Sequence, residues 1–174
     1  MRALAALALA LTLAGAAALA QPSDWERRQA EREWREIEVA PPAYPRREHL
    51  LPFFVSAATS FEFFVDGTTL SVGADGVVRY VLVARSAQGA ESVSFEGMRC
   101  STGEVRIYAV GTSAGGWARS KSAWRQIKPR EIQRWHNALF DEFFCPLGNP
   151  IHTSREGIDA LKRGGHPSRA LSGN

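Results

Sequence analysis

The sequence is poor in the features that most metal-binding and nucleic-acid-binding proteins carry. It has 2 cysteines, Cys100 and Cys145, and neither has a second cysteine or a histidine at the short spacing that zinc sites show. Its charges nearly balance, with 21 Lys and Arg against 18 Asp and Glu, which gives a net charge of +3. Such a small excess argues against nucleic acid as a partner.

The long apolar run lies at the N-terminus. Residues 1–20, MRALAALALALTLAGAAALA, combine an early arginine with an Ala- and Leu-rich stretch that ends in Ala18-Leu19-Ala20. A positive start, an apolar middle and a small-x-small end are typical of a cleaved signal peptide. The run approaches the length that spans a bilayer, but the cleavage pattern favours removal over anchoring. We therefore predict export to the bacterial periplasm, with cleavage before Gln21.

Export makes the two cysteines informative, because thiols are oxidised in the periplasm. An even number of cysteines in a small exported protein predicts disulfide bonds, and the pair here is Cys100–Cys145. The alternative is a metal site with a ligand set that zinc accepts: Cys100, Cys145, His136 and His152. The missing short spacings favour the disulfide, and we predict no metal and no cofactor.

The middle of the chain alternates hydrophobic and polar residues with the period of a β-strand. The segments that show it are FEFFVD from Phe61, VVRYVLVAR from Val77, SVSFEG from Ser92 and EVRIYAV from Glu104. Asp-Gly, Gln-Gly and Thr-Gly pairs separate them, and connections this short join antiparallel neighbours. We predict a meander of four to six antiparallel strands with one buried face, starting near residue 50.

The period changes to that of a helix near Pro129, a residue that suits the first turn. Hydrophobic residues follow at helical spacing: Ile132, Trp135, Leu139 and Phe143. An apolar helix face must be covered, and the meander is the available cover, so the predicted fold class is α+β. The disulfide would staple this C-terminal helix to the sheet.

The other segments frame this domain. Residues 21–45 are rich in charged helix formers and end in prolines, which predicts a short solvated helix or a flexible arm. Residues 46–150 form the predicted α+β domain. Residues 151–174 carry the capping-box spacing at Thr153 and Glu156, which predicts a short helix followed by a disordered tail.

Two parts of the sequence carry a family resemblance. One is FFVDGTTLSVGADGVVRYVLVARSAQGAESVSFEGMRC, in which DGVVRY and EGMRC are the most specific pieces, and the other is the later series IYAVG, W and FFCP. They resemble the CNP1-like family of small, secreted bacterial proteins, over roughly residues 34–146. The resemblance implies an envelope location and a domain of unknown function. It brings no catalytic residues to this chain.

The segment GTSAG, residues 111–115, matches the G-x-S-x-G nucleophile elbow of serine hydrolases. The elbow places its serine between a strand and a helix above a parallel sheet, whereas this segment follows an antiparallel meander. Asp141 and His152 come in the right order for a triad with Ser113. A small periplasmic serine hydrolase is therefore the alternative function, and a Gly/Ser-rich loop is the simpler interpretation.

Residues 117–135 are rich in cations and carry interleaved tryptophans. Aromatic faces stack and cations neutralise phosphate or carboxylate groups, so such a stretch suits an anionic polymer. We predict a binding edge made of Trp117, Arg119, Lys121, Trp124 and Arg125. The alternative is a solvated edge whose tryptophans lie in the core.

A second candidate surface is a cluster of Arg79, Glu96 and Arg99 on an exposed face of the meander, for which cross-strand ion pairs are the alternative explanation. Neither surface requires a catalytic residue. The leading hypothesis is therefore a non-catalytic binding or assembly module of the bacterial cell envelope. Its partner would be an envelope protein or an anionic envelope polymer.

We expect the exported protein to begin at Gln21, because signal peptidase cuts after small residues in patterns such as Ala18-Leu19-Ala20. N-terminal sequencing of the protein from a periplasmic extract measures this. Replacing Ala18 and Ala20 with Phe should leave the precursor uncut. Recovery of a chain that still begins at Met1, or recovery only with membranes, would contradict the prediction.

Overall fold

The part of the chain that the structure describes, residues 23–128 and 134–171 of a computed structural model, is organised around one antiparallel sheet. Its strands are β1 (Leu50–Phe53), β2 (Glu62–Asp66), β3 (Ser71–Val72), β4 (Val77–Arg85), β5 (Glu91–Arg99), β6 (Glu104–Gly111), β7 (Trp117–Arg119) and β8 (Arg125–Gln126). The hydrogen-bonded order is β1-β2-β4-β5-β6-β7, with β3 beside β4 and β8 beside β6. The predicted α+β class and antiparallel meander are confirmed.

The α-helices within the described residues are α1 (Asp24–Glu33), α2 (Arg134–Ala138), α3 (Ser154–Arg163) and α4 (Pro167–Leu171). A π-helical turn, Leu139–Phe144, continues α2 directly. The chain divides into two units, Met1–Trp34 and Arg35–Asn174, and the first contains α1, a largely exposed helix with Ser23 as its N-cap. The expected signal peptide, Pro129 and Ile132 lie outside the described residues.

One face of the sheet packs against α2, the π-helical turn and α3. Nearly inaccessible side chains from both layers meet there: Tyr80, Leu82, Met98, Leu139, Phe143 and Phe144. The predicted apolar stripe is confirmed for Leu139 and Phe143, which belong to this core, and for the partly buried Trp135, which packs against it. The predicted long α-helix is instead a short α-helix followed by a π-helical turn. In this turn the adjacent residues Phe143 and Phe144 are both buried.

A disulfide joins the sheet to the helix layer. The bond Cys100–Cys145 links the end of β5 to the end of the π-helical turn, with Cα atoms 5.3 Å apart and a sequence separation of 45. The predicted pairing is confirmed. Because both sulfur atoms are used in this bond, the alternative metal site loses its two thiolate ligands.

The other face of the sheet is also covered, so the prediction of a single buried face was wrong. Seven of the nine residues of β4 are buried. On this second face, Val81 and Val83 belong to a smaller core that includes Phe95, and Val39 and Tyr44 pack against it. The cover is the extended segment of residues 35–45, which the sequence pattern placed in the N-terminal arm.

Residues 151–171 complete the helix side. The Oγ1 of Thr153 accepts the N–H of Glu156 at 3.2 Å, in line with the capping-box spacing, and α3 ends at Gly164 in the left-handed conformation (φ 76°). Helix α4 follows where a disordered tail was predicted. The N–H of His166 donates to the carbonyl of Glu142 at 2.7 Å, and this bond fixes the segment against the π-helical turn.

The variants Cys100→Ser and Cys145→Ser should each lower the free energy of unfolding by about 2–5 kcal/mol, the usual cost of losing a native disulfide from a small secreted domain. Either substitution opens the same loop of 45 positions, so the double variant should be little worse than each single one. Urea denaturation measures the loss. Thiol titration of the unfolded, unreduced wild type should find no free thiol, and two titratable thiols would contradict the assignment.

Candidate functional site

A polar cluster lies inside the core on the helix side of the sheet. Tyr80 of β4, Glu96 of β5 and His136 of α2 are 0%, 2% and 2% exposed. The Tyr80 hydroxyl and the His136 Nε2 both donate to Glu96 Oε2, at 3.0 and 2.8 Å. The Ser94 hydroxyl donates to Glu96 Oε1 at 2.6 Å. Both oxygens of this buried carboxylate are therefore hydrogen-bonded.

The orientation of the His136 ring follows from its second partner. Its Nδ1 lies 3.3 Å from Nη2 of Arg125. A guanidinium group only donates hydrogen bonds, so Nδ1 is the acceptor and the imidazole proton is on Nε2, facing Glu96. The row Arg125–His136–Glu96 thus connects a cation to a carboxylate through an imidazole. Charge balance of this kind makes a buried carboxylate tolerable.

Burial acts on the two acids of this cluster in different ways. It raises the pKa of Glu96, but His136, Ser94 and Tyr80 together outweigh that effect, so the pKa of this carboxyl lies below its ordinary value. Burial and the neighbouring carboxylate both raise the pKa of the Tyr80 hydroxyl well above its ordinary value. Glu96 is therefore an anion, and Tyr80 is a neutral hydrogen-bond donor.

The arrangement of Glu96 and His136 is one that a general base could use, but its position argues for a structural role. With at most 2% of either residue exposed, a substrate has no surface on which to approach the imidazole. Each ring nitrogen already has a protein partner. The cluster therefore joins α2 to the central strands and specifies how they pack.

The serine of the GTSAG segment lies in a different environment from a nucleophile elbow. Ser113 is exposed in the loop of the hairpin between β6 and β7, where the Thr112 N–H donates to the Gly116 carbonyl at 2.8 Å. The elbow requires a helix after the serine, whereas a strand follows here. In the part of the chain described, no hydrogen bond joins Ser113 to Asp141 or His152. Nor do any three His, Cys, Asp or Glu side chains of that part form a group that could hold a metal ion.

On the second face, a buried ion pair holds the covering segment in place. Nη2 of Arg79 lies 2.5 Å from Asp75 Oδ2 and also donates to the Ile37 carbonyl at 2.9 Å. The Ile37 N–H donates back to Asp75 at 2.9 Å. Burial raises the pKa of Asp75, but Arg79 and Ile37 outweigh it and hold the pKa below its ordinary value. The pair therefore fixes the extended segment to the turn before β4.

A cleft of about 540 Å³ opens between this covering segment and the β6 side of the sheet. One wall consists of residues from the segment 36–41. The other consists of Arg106 and Tyr108 of β6 with residues 119–121. Arg106 donates to Glu36 Oε2 at 2.6 Å, and the indole N–H of Trp124 donates to the same oxygen at 3.1 Å.

The shape of the cleft floor depends on Gly97. An added Cβ at this position would lie 2.3 Å from the Tyr108 hydroxyl oxygen, so only glycine lets the Tyr108 ring lie across β5. The register between β5 and β6 shifts here and leaves Tyr108 without a paired residue. The ring lies between two guanidinium groups, with Arg79 Cζ 5.8 Å and Arg106 Cζ 5.5 Å from its centroid.

A model of the CNP1-like family matches residues 29–162. The chain belongs to the CNP1-like family. The match includes every strand of the sheet, the covering segment, both disulfide cysteines and nearly all of α3. No curated protein and no solved structure matches the chain significantly. Within the described ranges, this CNP1-like protein has no helix of the length and apolarity that crossing a membrane requires.

The five residues of the predicted binding edge fall into two groups, some with contacts inside the protein and others at the cleft. The indole N–H of Trp117 donates to the Pro42 carbonyl at 2.8 Å, so this ring packs under the covering segment. Trp124 is bonded to Glu36, and Arg125 to His136. Arg119 and Lys121 line the cleft. Ligand binding by these five residues remains a prediction. Glu36, Arg106 and Tyr108 also line the cleft, and no local sequence pattern indicated that they would.

The predicted exposed cluster was wrong about exposure. Arg79, Glu96 and Arg99 are only 3%, 2% and 7% exposed. Pairing places Arg79 opposite Gly97 and Tyr80 opposite Glu96, so Glu96 lies on the helix side and the two arginines on the other. Arg99 pairs with Glu104 at 3.3 Å. Arg79 and Arg99 are buried because the covering segment and the residues after β7 close their face of the sheet. Glu96 is buried because it lies on the opposite face, under α2.

The variant Glu96→Gln should change how stability depends on pH. A carboxyl whose pKa is lowered by folding contributes stability that is present above its unfolded pKa, and this contribution is lost as the pH falls through the folded pKa. The wild type should therefore lose its greater free energy of unfolding relative to Glu96→Gln as the pH falls below about 4.5, the ordinary pKa of Glu. Urea denaturation between pH 6 and about pH 3 measures both proteins.

Asp75 and Glu156 also have lowered pKa values, but they are present in both proteins and cancel in the comparison. Tyr80→Phe removes one hydrogen-bond donor to the Glu96 carboxylate, so the stability that depends on this carboxylate should be lost at a higher pH. A difference between wild type and Glu96→Gln that stays constant over the whole range would mean that Glu96 does not titrate as a folded-state anion.

Proposed function

We propose that this CNP1-like protein is an exported, non-catalytic binding module of the bacterial cell envelope that acts in the periplasm. The N-terminal sequence has the pattern of a cleaved signal peptide, and the disulfide suits an oxidising compartment. The partner that fits best is an anionic envelope polymer. The reasons come from the cleft and from the distribution of charged groups.

The observation that carries the proposal is the pair of accessible cations at the cleft. The side chain of Arg119 is 84% exposed, and its contact is Glu38 at 3.3 Å, itself 87% exposed. Lys121 is also exposed and lines the same cleft. Ion pairs in solvent contribute little, so an anionic ligand could replace Glu38 as the partner of Arg119 at small cost.

The charged groups elsewhere support binding over catalysis. Glu96 and His136 are enclosed in the core, and Asp75 and Arg79 satisfy each other under the covering segment. Ser113 lies in an exposed hairpin loop, and no base among the described residues is bonded to it. The candidate catalytic groups are therefore either inaccessible or unassisted, which argues against the serine hydrolase alternative.

The walls of the cleft are held before any ligand arrives. Trp117 is bonded to Pro42, Trp124 to Glu36, and Arg79 to Ile37, and each bond attaches the covering segment to the sheet. A binding surface that is already ordered loses little conformational entropy when a ligand binds. This favours a cleft that recognises its ligand without a folding step.

The double variant Arg119→Ser/Lys121→Ser tests the proposal. Two exposed charge contacts of about 0.7 kcal/mol each correspond to a loss of about tenfold in affinity. Binding of the mature protein to polygalacturonate and to polyglutamate should weaken by this factor, and wild-type binding should weaken with added salt. The melting temperature should be nearly unchanged, because Arg119 and Lys121 are exposed.

The matched control is Arg46→Ser/Arg47→Ser. It removes the same charge from two exposed arginines outside the cleft lining, which also make only exposed ion pairs. The control should bind as the wild type does. If both double variants lose the same affinity, the binding depends on net charge and not on the cleft. If the wild type binds neither polymer, the proposal is overturned.

A further inference from the structure

Strand β7 forms one edge of the sheet. It is the last strand in the hydrogen-bonded order, and β6 is its partner among the described residues. The Ser120 N–H donates to the Tyr108 carbonyl of β6 at 2.8 Å. Backbone groups alternate in direction along an antiparallel strand, so the N–H and C=O groups of Trp117 and Arg119 point away from β6. In the described part of the chain, no hydrogen bond occupies these outward groups.

The covering segment contacts β7 through side chains and leaves its backbone edge open. The Trp117 indole donates to the Pro42 carbonyl, and the Arg119 guanidinium contacts the Glu38 carboxylate at 3.3 Å. Within the described ranges, no backbone hydrogen bond joins the segment to β7. Ala118 and Arg119 are both exposed. An extended chain can therefore approach this edge from the solvent.

The two faces of the sheet differ in chemistry at the β7 edge. On the cleft side lie the exposed cations Arg119 and Lys121. On the opposite face Ala118 is exposed and pairs with Val110, a large apolar residue that is 42% exposed. Side chains alternate between the faces of a sheet, so a strand added beside β7 would meet a cation at one residue and apolar groups at the next. A strand that alternates acidic and apolar residues complements both faces.

The same cations argue against a second copy of this chain at the edge. If β7 paired with β7 of another copy about a two-fold axis, Arg119 and Lys121 of both copies would lie side by side. Like charges on neighbouring strands are destabilising. Proteins use positive residues at sheet edges to avoid pairing with themselves. The charge of this edge therefore favours a partner strand of the opposite sign.

We propose that β7 binds an extended acidic segment of a partner protein, which adds to the sheet as an antiparallel strand. This inference rests on the proposed function, because it uses Arg119 and Lys121, and it names the anionic partner as a polypeptide. The partner residue opposite Arg119 would exchange two backbone hydrogen bonds with it and place its side chain on the same face. The segment therefore has acids opposite Arg119 and Lys121 and an apolar residue between them. Backbone hydrogen bonds give such strand addition its affinity, and the alternate side chains give it specificity.

The experiment is an NMR titration of the mature, nitrogen-15-labelled protein with capped peptides of one composition. The first peptide reads glutamate, valine, glutamate, valine, threonine, and its glutamates would lie opposite Lys121 and Arg119. The second has the same residues with the two glutamates adjacent and the two valines adjacent. The first should bind about tenfold more tightly, because only alternation puts both acids on one face and both valines on the other. The amide signals that shift should include those of Trp117 and Arg119.

N-methylation of the alternating peptide tests the backbone hydrogen bonds without altering the protein. The N–H of the second glutamate would donate to the Arg119 carbonyl. Methylation of this nitrogen should weaken binding about tenfold, the loss expected for one hydrogen bond of about 1.4 kcal/mol. The N–H of the second valine would point away from β7, so its methylation is the matched control and should leave the affinity unchanged.

The outcomes separate this inference from the proposed function. If the two peptides bind equally well and neither methylation has an effect, the module binds anions without using its edge, and the inference is overturned alone. The same conclusion follows if the wild type binds polygalacturonate but neither peptide. A dimer that the alternating peptide dissociates, measured by sedimentation, would identify a second copy as the occupant and overturn the acidic partner. If neither the peptides nor the two polymers bind, the inference and the proposed function fail together.

Discussion

The rest of the structure depends on the burial of strand β4 on both faces. A strand enclosed in this way needs a layer of structure on each face of the sheet. A specific link, in addition to apolar packing, holds each layer to the sheet. On the helix side the Cys100–Cys145 bond supplies this link. On the other side the buried pair of Arg79 and Asp75 supplies it, through its two hydrogen bonds to Ile37. The two links differ in chemistry but have the same function.

The covering segment on the second face also creates the cleft. Its residues form one wall of the cleft. Hydrogen bonds hold this wall to side chains of the strands and to Trp124, which follows β7. The floor exists because Gly97 has no side chain, which allows Tyr108 to lie between Arg79 and Arg106. The position of the Tyr108 hydroxyl beside Glu36 therefore follows from the way the second core is closed. Core and candidate site arise from the same packing.

The extent to which the sequence predicts this structure depends on the range of the interactions. Alternation, Gly-containing turns and helical spacing are local, and they predict the meander, the helix residues Leu139 and Phe143 and, with the export signal, the disulfide. The second cover depends on contacts such as Arg79 to Ile37, 42 positions apart, which no local pattern contains. The register shift at Tyr108 likewise breaks an alternation that predicts a regular strand. From the sequence pattern alone, a buried arginine in an alternating strand therefore cannot be distinguished from a solvent-exposed one.

The ionisable groups fall into two sets with different tolerance to change. Glu96, His136, Asp75 and Arg79 are buried and satisfied by each other or by the backbone, so removing one partner leaves an uncompensated charge in the core. Arg119, Lys121 and Glu38 are exposed, so their contacts contribute little to folding and can be exchanged for contacts with a ligand. Tyr108 stands between the sets, because its ring packs against Phe95 while its hydroxyl lies beside Glu36 and Arg79 at the cleft. If the proposed function holds, sequence changes at Arg119 and Lys121 would therefore alter ligand binding without weakening the domain.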